Sequence, residues 1–325
     1  MLAVLDSPVP LHDALVVKFS TGLPGVMRYP PVTRDWEATM RPADFQLVAR
    51  TADELGFDSI AIPEHIVMPA EMVELMGPFW THALTVMSFV AGATSRLLVD
   101  SSVIVLPYHD PVVFAKAVST LDFLSGGRVR ISIGVGHAER EFEVLGIPFH
   151  ERGAMTDEYL AAMIELWTSE KPEFRGRYVN FERIAFEPKP IQQPHPPIWI
   201  GGNSRAAMRR AARFDGWFPW LITPDQLPEC LDYIRSQPEY ATRAHPLEVA
   251  MSTTILRVSE DHRPLADTSA LPATPVGKEA IIDAIGRLQD LGVTWTSVPT
   301  PSSNSLAEYL DELRWVAEEI MPTFR

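Results

Sequence analysis

The sequence alternates between short β-rich segments and helical patterns eight times, and this alternation restricts the possible folds more than any other feature. The β-rich segments lie at 16–19, 59–62, 97–106, 129–135, 197–200, 217–218, 249–258 and 293–298. The helical patterns that follow them lie at 43–55, 81–94, 110–124, 152–168, 204–213, 224–235, 281–288 and 306–320. Strands that alternate with helices in this way predict parallel strands joined by helical crossovers.

Eight strand–helix units in 325 residues favour a (β/α)8 TIM barrel with insertions in its βα loops. The alternative is an open, doubly wound sheet, but no GxGxxG motif follows the first strand. The strands are interpreted as apolar on both faces, as buried parallel strands usually are. We expect a single domain over residues 14–325, preceded by an N-terminal extension at 1–13.

Composition excludes several classes of function. The formal net charge is −14 and there is no basic run, which argues against nucleic acid and anionic membranes as partners. One cysteine, Cys230, excludes an internal disulfide and a cysteine-based metal cluster. No apolar run approaches the roughly 20 residues of a membrane helix, and the N-terminus does not resemble a secretory signal. We therefore expect a cytoplasmic protein that acts on a small molecule.

Three of the nine histidines follow consecutive predicted strands, where the active sites of such barrels form. His65 has the neighbouring carboxylate of Glu64, and this pair at a strand end predicts proton transfer. His109 lies beside a helix cap and is interpreted as structural, while His137 follows the fourth strand. The alternative for each is a capping or packing histidine. Without an HxH or HExxH motif, no metal site is predicted.

The predicted fifth strand leads through Gly201-Gly202-Asn203-Ser204 directly into a helix. Glycines allow close approach of an anion, and free N–H groups at a helix start attract phosphate. We therefore predict a phosphate or sulfate site at this turn. The alternative is a simple helix cap by Ser204.

Three further segments are predicted to lie at the mouth of the barrel. The loops after the first two strands are rich in methionine and aromatic residues, which suits an adaptable hydrophobic pocket, a cover over the barrel or a dimer contact. These residues are Met27, Tyr29, Trp36, Met68, Met72, Met76, Phe79 and Trp80. The polar, proline-rich segment 259–277 predicts a mobile lid.

Several ordered motifs resemble those of the bacterial luciferase-like monooxygenase superfamily, and within it most closely the deazaflavin (F420)-dependent oxidoreductases. They are GFDSIAIPEH at 56–65, SSVIVLPYHDPVVFAKAVSTLDFLSGGRVRISIGVG at 101–136, EFEVLGIPFHERG at 141–153, PIWIGGNS at 197–204 and FDGWFP at 214–219. The resemblance runs from about residue 16 to residue 220. It implies a TIM barrel, usually dimeric, that holds FMN or F420 at its C-terminal face, and we therefore expect a homodimer.

The resemblance also implies roles for individual residues. Glu64 and His65 match an acidic–histidine pair beside the reactive ring of the cofactor, and Glu139 matches a glutamate proposed as proton donor or acceptor. Ser102-Val103 matches a bulge that supports the tricyclic ring, and from this match we expect a non-proline cis peptide there. The remaining cofactor-binding residues that the resemblance implies are Gly134, Gly136 and His137 along the sugar-alcohol chain, and Gly201, Gly202, Asn203 and Ser204 at the phosphate.

Two departures from the family pattern concern the fourth strand end. His137 stands where the luciferases proper carry an arginine near the flavin phosphate, which favours F420 over FMN. Ala138-Glu139-Arg140 stands where many relatives carry Gly-Trp. The expected activity is hydride transfer between F420 and a largely hydrophobic organic substrate. The alternatives are an FMN-dependent monooxygenase that activates oxygen and a cofactor-binding barrel without turnover.

Overall fold

The computed structural model describes residues 16–254, 256–259, 262–269, 271–298 and 303–325; the predicted extension at 1–13 lies outside them. Its strands are β1 Lys18–Gly22, β2 Ser59–Ile62, β3 Leu98–Ser101, β4 Ile104–Val105, β5 Val129–Gly134, β6 Phe174–Arg175, β7 Asn180–Phe181, β8 Ile198–Gly201, β9 Gly216–Phe218, β10 Glu248–Val249 and β11 Trp295–Thr296. Its α-helices are α1 Pro42–Leu55, α2 Val73–Met76, α3 Ala83–Ala91, α4 Pro111–Ser125, α5 Glu139–Leu145, α6 Arg152–Thr168, α7 Arg205–Ala211, α8 Leu227–Arg235, α9 Lys278–Asp290 and α10 Leu306–Trp315.

Eight parallel strands form a barrel in the order β1-β2-β3-β5-β8-β9-β10-β11. β11 pairs in parallel with β1. A parallel bridge between Ala250 and Trp295 joins the two remaining edges, and the Met251 amide donates to the Trp295 carbonyl at 2.9 Å. The predicted TIM barrel is thus confirmed, and the open doubly wound sheet is wrong.

The third barrel strand is interrupted where the resemblance placed a bulge. β3 ends at Ser101, the Ser102–Val103 peptide bond is cis, and β4 resumes the pairing with β5. The predicted continuous strand over 97–106 is therefore wrong in its middle, and the expected cis bond is confirmed.

Two other parts of the predicted element pattern also differ from the structure. The seventh strand, predicted over 249–258, pairs with β9 at Glu248–Val249 and with β11 through the Ala250–Trp295 bridge, and the chain then continues along the mouth of the barrel. Helix α5 was not predicted, because its seven residues EREFEVL are mostly charged and too few to show a helical period. Residues 171–196 contain the small antiparallel hairpin of β6 and β7.

Local signals set the ends of α4 as predicted. Asp110 accepts hydrogen bonds from the amides of Val112 and Val113 at 3.0 and 2.9 Å, and Pro111 occupies the first turn. Gly126 ends the helix in the left-handed conformation, with φ of 72°. This helix follows the third strand directly and so fixes the loop that carries Tyr108 and His109.

The interior of the barrel is polar, which corrects the prediction of strands that are apolar on both faces. Outward-facing residues such as Ile60 and Ile131 are fully buried and apolar. Alternate residues point into the barrel, where Arg130 forms a buried ion pair with Asp100 at 2.6 Å. The Arg130 guanidinium lies between two indole rings, 3.7 Å from the centroid of Trp199 and 3.9 Å from that of Trp295.

Gly216 makes room for one of these indoles, and Gly216→Ala is expected to destabilise the barrel by about 1–3 kcal/mol, the usual effect of overpacking. A Cβ atom at Gly216 would lie 2.3 Å from Nε1 of the buried Trp199. The measurement is the free energy of unfolding in urea. Gly286→Ala is the matched control, because its Cβ would meet no atom within 4 Å and helix α9 would gain a better helix former. Equal stability of the two variants would contradict this packing argument.

Candidate active site

A cavity of about 1100 Å³ opens at the carboxyl ends of the barrel strands. Its floor is formed by small residues at or just beyond these ends: Gly22, Ala61, Ser102 and Ser297. Larger, mostly apolar residues form its walls: Met27, Leu75, Phe218, Trp220, Met251, Leu256 and Tyr309. Of the methionine and aromatic residues predicted for a pocket, Met27 thus lines the cavity, while Trp80 packs against His65 with ring centroids 4.6 Å apart.

His65 follows β2 and is held by a carboxylate from α5. Its Nδ1 lies 2.9 Å from Oε2 of Glu141, and the His65 side chain is 9% exposed while that of Glu141 is fully buried. Glu141 also accepts hydrogen bonds from the amides of Ile66 and Val67 and from the Tyr108 hydroxyl, at 2.7, 3.1 and 2.9 Å. This network rigidly orients the imidazole at the barrel mouth.

The predicted pairing of Glu64 with His65 is wrong, although both residues are buried at the end of β2. Oε2 of Glu64 instead accepts a hydrogen bond from Nε2 of His109 at 2.8 Å. The reason lies in strand geometry, because successive side chains after a strand point in opposite directions. The two neighbours therefore form two separate histidine–carboxylate pairs.

The third strand-end histidine, His137, joins the barrel to the segment that was predicted as a lid. Its Nε2 lies 3.1 Å from Nε2 of His262, and Nδ1 of His262 lies 3.1 Å from the Tyr29 hydroxyl. His137 is exposed, although the rings of His65 and His262 lie beside it. Desolvation by the surrounding protein, together with the nearby His262 and His65, lowers the pKa of His137 to about 4. His137 is therefore neutral near pH 7.

Three glycines that the resemblance assigned to the cofactor have a packing role in this structure. A Cβ at Gly134 would lie 2.7 Å from Cγ2 of Val103, and one at Gly201 would lie 2.9 Å from its Cγ1. The Val103 side chain therefore occupies the space that these glycines leave. Gly136 similarly accommodates Val105 and Phe142, with 2.7 Å to Val105. Of the bulge residues, Ser102 lines the cavity.

The turn after β8 is capped by its own serine. Ser204 Oγ accepts a hydrogen bond from the Ala207 amide at 3.2 Å, which is the alternative that the sequence left open. Gly202 adopts φ of 96° and its carbonyl accepts from Nε1 of Trp217 at 2.7 Å, so the turn is fixed to β9. Asn203 is half-buried beside it. An anion at this turn stays a prediction.

Glu139 lies at the start of α5 and is largely exposed. Its carboxylate is 3.9 Å from Nε2 of the exposed His150. The carboxylate that reaches His65 belongs to Glu141, two residues further along the same helix. Sequence reasoning missed Glu141 because a seven-residue helix gives no periodic signal.

The described ranges contain neither a candidate metal site nor a membrane-spanning helix. Among residues 16–254, 256–259, 262–269, 271–298 and 303–325, no group of three or more His, Cys, Asp and Glu could hold a metal ion. Within that same part of the chain, no helix combines the length and apolar character needed to cross a bilayer.

The described part of the predicted lid lies at the cavity. His262, Pro264 and Thr274 of this segment line it, beside Leu256 and Val258 that precede the segment, so the segment lies on the predicted face of the barrel. Residues 260, 261 and 270 of this segment lie outside the described residues. The mobility of the lid stays a prediction.

His262→Ala is expected to increase protease cleavage between residues 256 and 269. The substitution removes the contacts of His262 with Tyr29 and His137, and segments with few remaining contacts open locally. Limited proteolysis with mass spectrometry of the fragments measures this directly. His245→Ala, at an exposed histidine, is the control. If both variants match the unmodified protein in cleavage rate, His262 does not hold the segment.

Comparison with known proteins places this geometry in a family. The sequence profile of the luciferase-like monooxygenases matches residues 20–289. An uncharacterized protein of Mycobacterium tuberculosis is 30% identical over 214 residues, which cover 62% of this chain and 74% of that protein. An FMNH2-dependent dimethylsulfone monooxygenase of Pseudomonas putida is 28% identical over 207 residues, covering 62% of this chain and 55% of that enzyme.

Solved structures share the fold. The monooxygenase RslO1 from Streptomyces bottropensis has a TM-score of 0.76 and 22% identity, covering 95% of this chain and 100% of that one. An F420-dependent secondary alcohol dehydrogenase has a TM-score of 0.69 and 20% identity, with 95% and 100% covered. The profile match over most of the chain, together with this barrel, shows that the protein belongs to the luciferase-like monooxygenase family, whose members include flavin- and F420-dependent oxidoreductases.

Proposed function

We propose that this protein is an F420-dependent oxidoreductase that transfers a hydride between the cofactor and a largely hydrophobic organic substrate. The deazaflavin, when bound, supplies the hydride donor or acceptor. The observation that carries the proposal is the orientation of His65: one ring nitrogen is held by Glu141, and the ring lies at a strand end of the barrel. Such an imidazole is suited to exchange the proton that accompanies hydride transfer.

The size of the cavity supports binding of a cofactor together with a substrate. Its volume of about 1100 Å³ slightly exceeds the usual range for ligand pockets, about 300–1,000 Å³. A Cβ atom at Gly22 would meet no heavy atom within 4 Å, so this position opens into free space. Ser102, directly before the packed Val103, would support a ring from below. Gly202 and Asn203 are the residues that we propose lie nearest the cofactor phosphate.

The walls of the cavity favour a hydrophobic substrate. Met27, Leu75, Met251 and Leu256 contribute apolar, adaptable surface, and Phe218 and Trp220 add aromatic faces. Closing this cavity would exclude water from the reacting centre. The residues of the chain then bind and orient the substrate, while His65 moves the proton.

An FMN-dependent monooxygenase is the second candidate, and the similarity to the dimethylsulfone monooxygenase supports it. The state of His137 favours F420. With a pKa of about 4, this histidine is neutral near pH 7 and adds no positive charge where an arginine would neutralise a flavin phosphate.

A titration with each cofactor tests the proposal. Purified protein is mixed with F420 or with FMN, and the change in cofactor fluorescence gives the two dissociation constants. We expect tighter binding of F420, and bleaching or recovery of its absorbance with a panel of apolar alcohols, ketones and enones in the absence of oxygen uptake. Tighter binding of FMN with oxygen consumption under reducing conditions would favour the monooxygenase. Tight binding without turnover over the whole panel would favour a binding protein.

A further inference from the structure

We propose that Glu141 is a positioning residue that keeps the ring proton of neutral His65 on Nδ1 and so leaves Nε2 as the atom that exchanges a proton with the bound reactants. This inference rests on the proposed function, since it names the atom of His65 that exchanges the proton in that reaction. It assigns to Glu141 a role that the sequence motifs had suggested for Glu64 and Glu139.

Glu141 receives four hydrogen bonds, two on each oxygen. Oε1 accepts from the backbone amides of Ile66 and Val67, at 2.7 and 3.1 Å. Oε2 accepts from Nδ1 of His65 and from the Tyr108 hydroxyl, both at 2.9 Å. The two amides directly follow His65 in the chain, so one carboxylate fixes both the backbone and the ring of this histidine. Rotation of either group would break several bonds at once.

The charge state of Glu141 decides the tautomer of His65. Burial alone would raise the pKa of Glu141, but the hydrogen bonds that it accepts from His65 and from the amides of Val67 and Ile66 outweigh burial and hold the pKa below its usual range. An ionised carboxylate accepts hydrogen bonds and cannot donate one. At a separation of 2.9 Å, Nδ1 must therefore carry the hydrogen.

The opposite nitrogen is available. Within the part of the chain that the structure describes, Nε2 of His65 has no hydrogen-bond partner, and the ring lies beside Trp80 and His137 with centroids 4.6 and 5.9 Å away. A carboxylate behind an imidazole also stabilises the cation that forms when the free nitrogen takes up a proton, as in other histidine–carboxylate pairs. Nε2 is therefore the proton acceptor, and Nε2–H the donor in the reverse direction.

Glu141→Gln is the most informative variant, because glutamine has the same shape. Its amide oxygen retains the two backbone donors, and its NH2 group then faces Nδ1 and the Tyr108 hydroxyl. Since NH2 donates, Nδ1 must become an acceptor, and the neutral ring must carry its hydrogen on Nε2. We expect the fold to persist, the tautomer to invert, and kcat to fall by about 100-fold with little change in KM, as when general acid–base catalysis is lost.

Long-range ¹H–¹⁵N NMR spectra of histidine-labelled protein report the tautomer without cofactor or substrate, with His65→Ala used to assign the signals. The unmodified protein should show the Nδ1–H form of neutral His65, and Glu141→Gln the Nε2–H form. Glu143→Gln is the matched control, since it lies on the same helix with a side chain 54% exposed, and it should change neither tautomer nor kcat.

Three results would overturn the inference, and they can be told apart from a failure of the proposed function. An Nε2–H form in the unmodified protein contradicts it even if the glutamine variant does not fold. An unchanged tautomer in a folded Glu141→Gln protein also contradicts it, as does an inverted tautomer with full turnover. If instead the NMR results agree and no F420-dependent reaction is found, only the proposed activity fails.

Discussion

Replacing His65 with alanine is expected to lower turnover by about 100-fold or more, the usual scale for loss of a general acid or base. Cofactor affinity and the fold should persist. The substitution leaves Glu141 with three of its four donors, the amides of Ile66 and Val67 and the hydroxyl of Tyr108. The buried carboxylate of Glu141 therefore still has hydrogen-bond donors, and strand β2, which precedes residue 65, is unchanged.

The measurement compares kcat, the dissociation constant for F420 and the urea unfolding curve of the two proteins. His150→Ala provides a control, because its side chain is 87% exposed. Wild-type turnover in the His65 variant would remove this residue from the reaction. A parallel loss of cofactor binding would mean that His65 binds rather than transfers a proton.

The position of His65 could be predicted from sequence, but its partner could not. A histidine just after a predicted barrel strand lies at the catalytic face whatever the rest of the chain does. Its carboxylate partner lies 76 residues away, in a helix with no periodic signal. Adjacency in sequence suggested Glu64 as the partner of His65 instead. Because side chains alternate in direction at the strand end, the Glu64 carboxylate accepts a hydrogen bond from His109.

The ends of helix α4 and the interior of the barrel illustrate the same difference between local and tertiary information. The ends of α4 followed from Asp110, Pro111 and Gly126, because caps and turns depend on neighbouring residues. The polar interior of the barrel was missed, although Asp100 and Arg130 stand within the predicted strands. Their burial becomes favourable only when strands distant in sequence bring the two charges together.

This buried pair leads to the second large effect: Asp100→Asn is expected to destabilise the protein by about 3–5 kcal/mol, as when one member of a buried ion pair is removed. Arg130 is 3% exposed and forms its one ion pair among the described residues with Asp100. Nε and Nη1 of its guanidinium already have no hydrogen-bond partner there. The asparagine variant would leave a cation buried between two indole rings without a counter-charge.

The double variant Asp100→Asn with Arg130→Met separates loss of a charge partner from loss of packing. Methionine can fill the space between Trp199 and Trp295 with an apolar, polarizable chain, and no uncompensated charge then remains. We therefore expect the double variant to unfold at a higher urea concentration than Asp100→Asn alone, as coupling between residues in contact predicts. Ser132 donates to the other Asp100 oxygen at 3.1 Å and can still donate to the asparagine carbonyl, so loss of that bond does not confuse the comparison. If the single and double variants are equally unstable, the destabilisation by Asp100→Asn arises from altered packing of the barrel interior. The uncompensated charge of Arg130 is then not its cause.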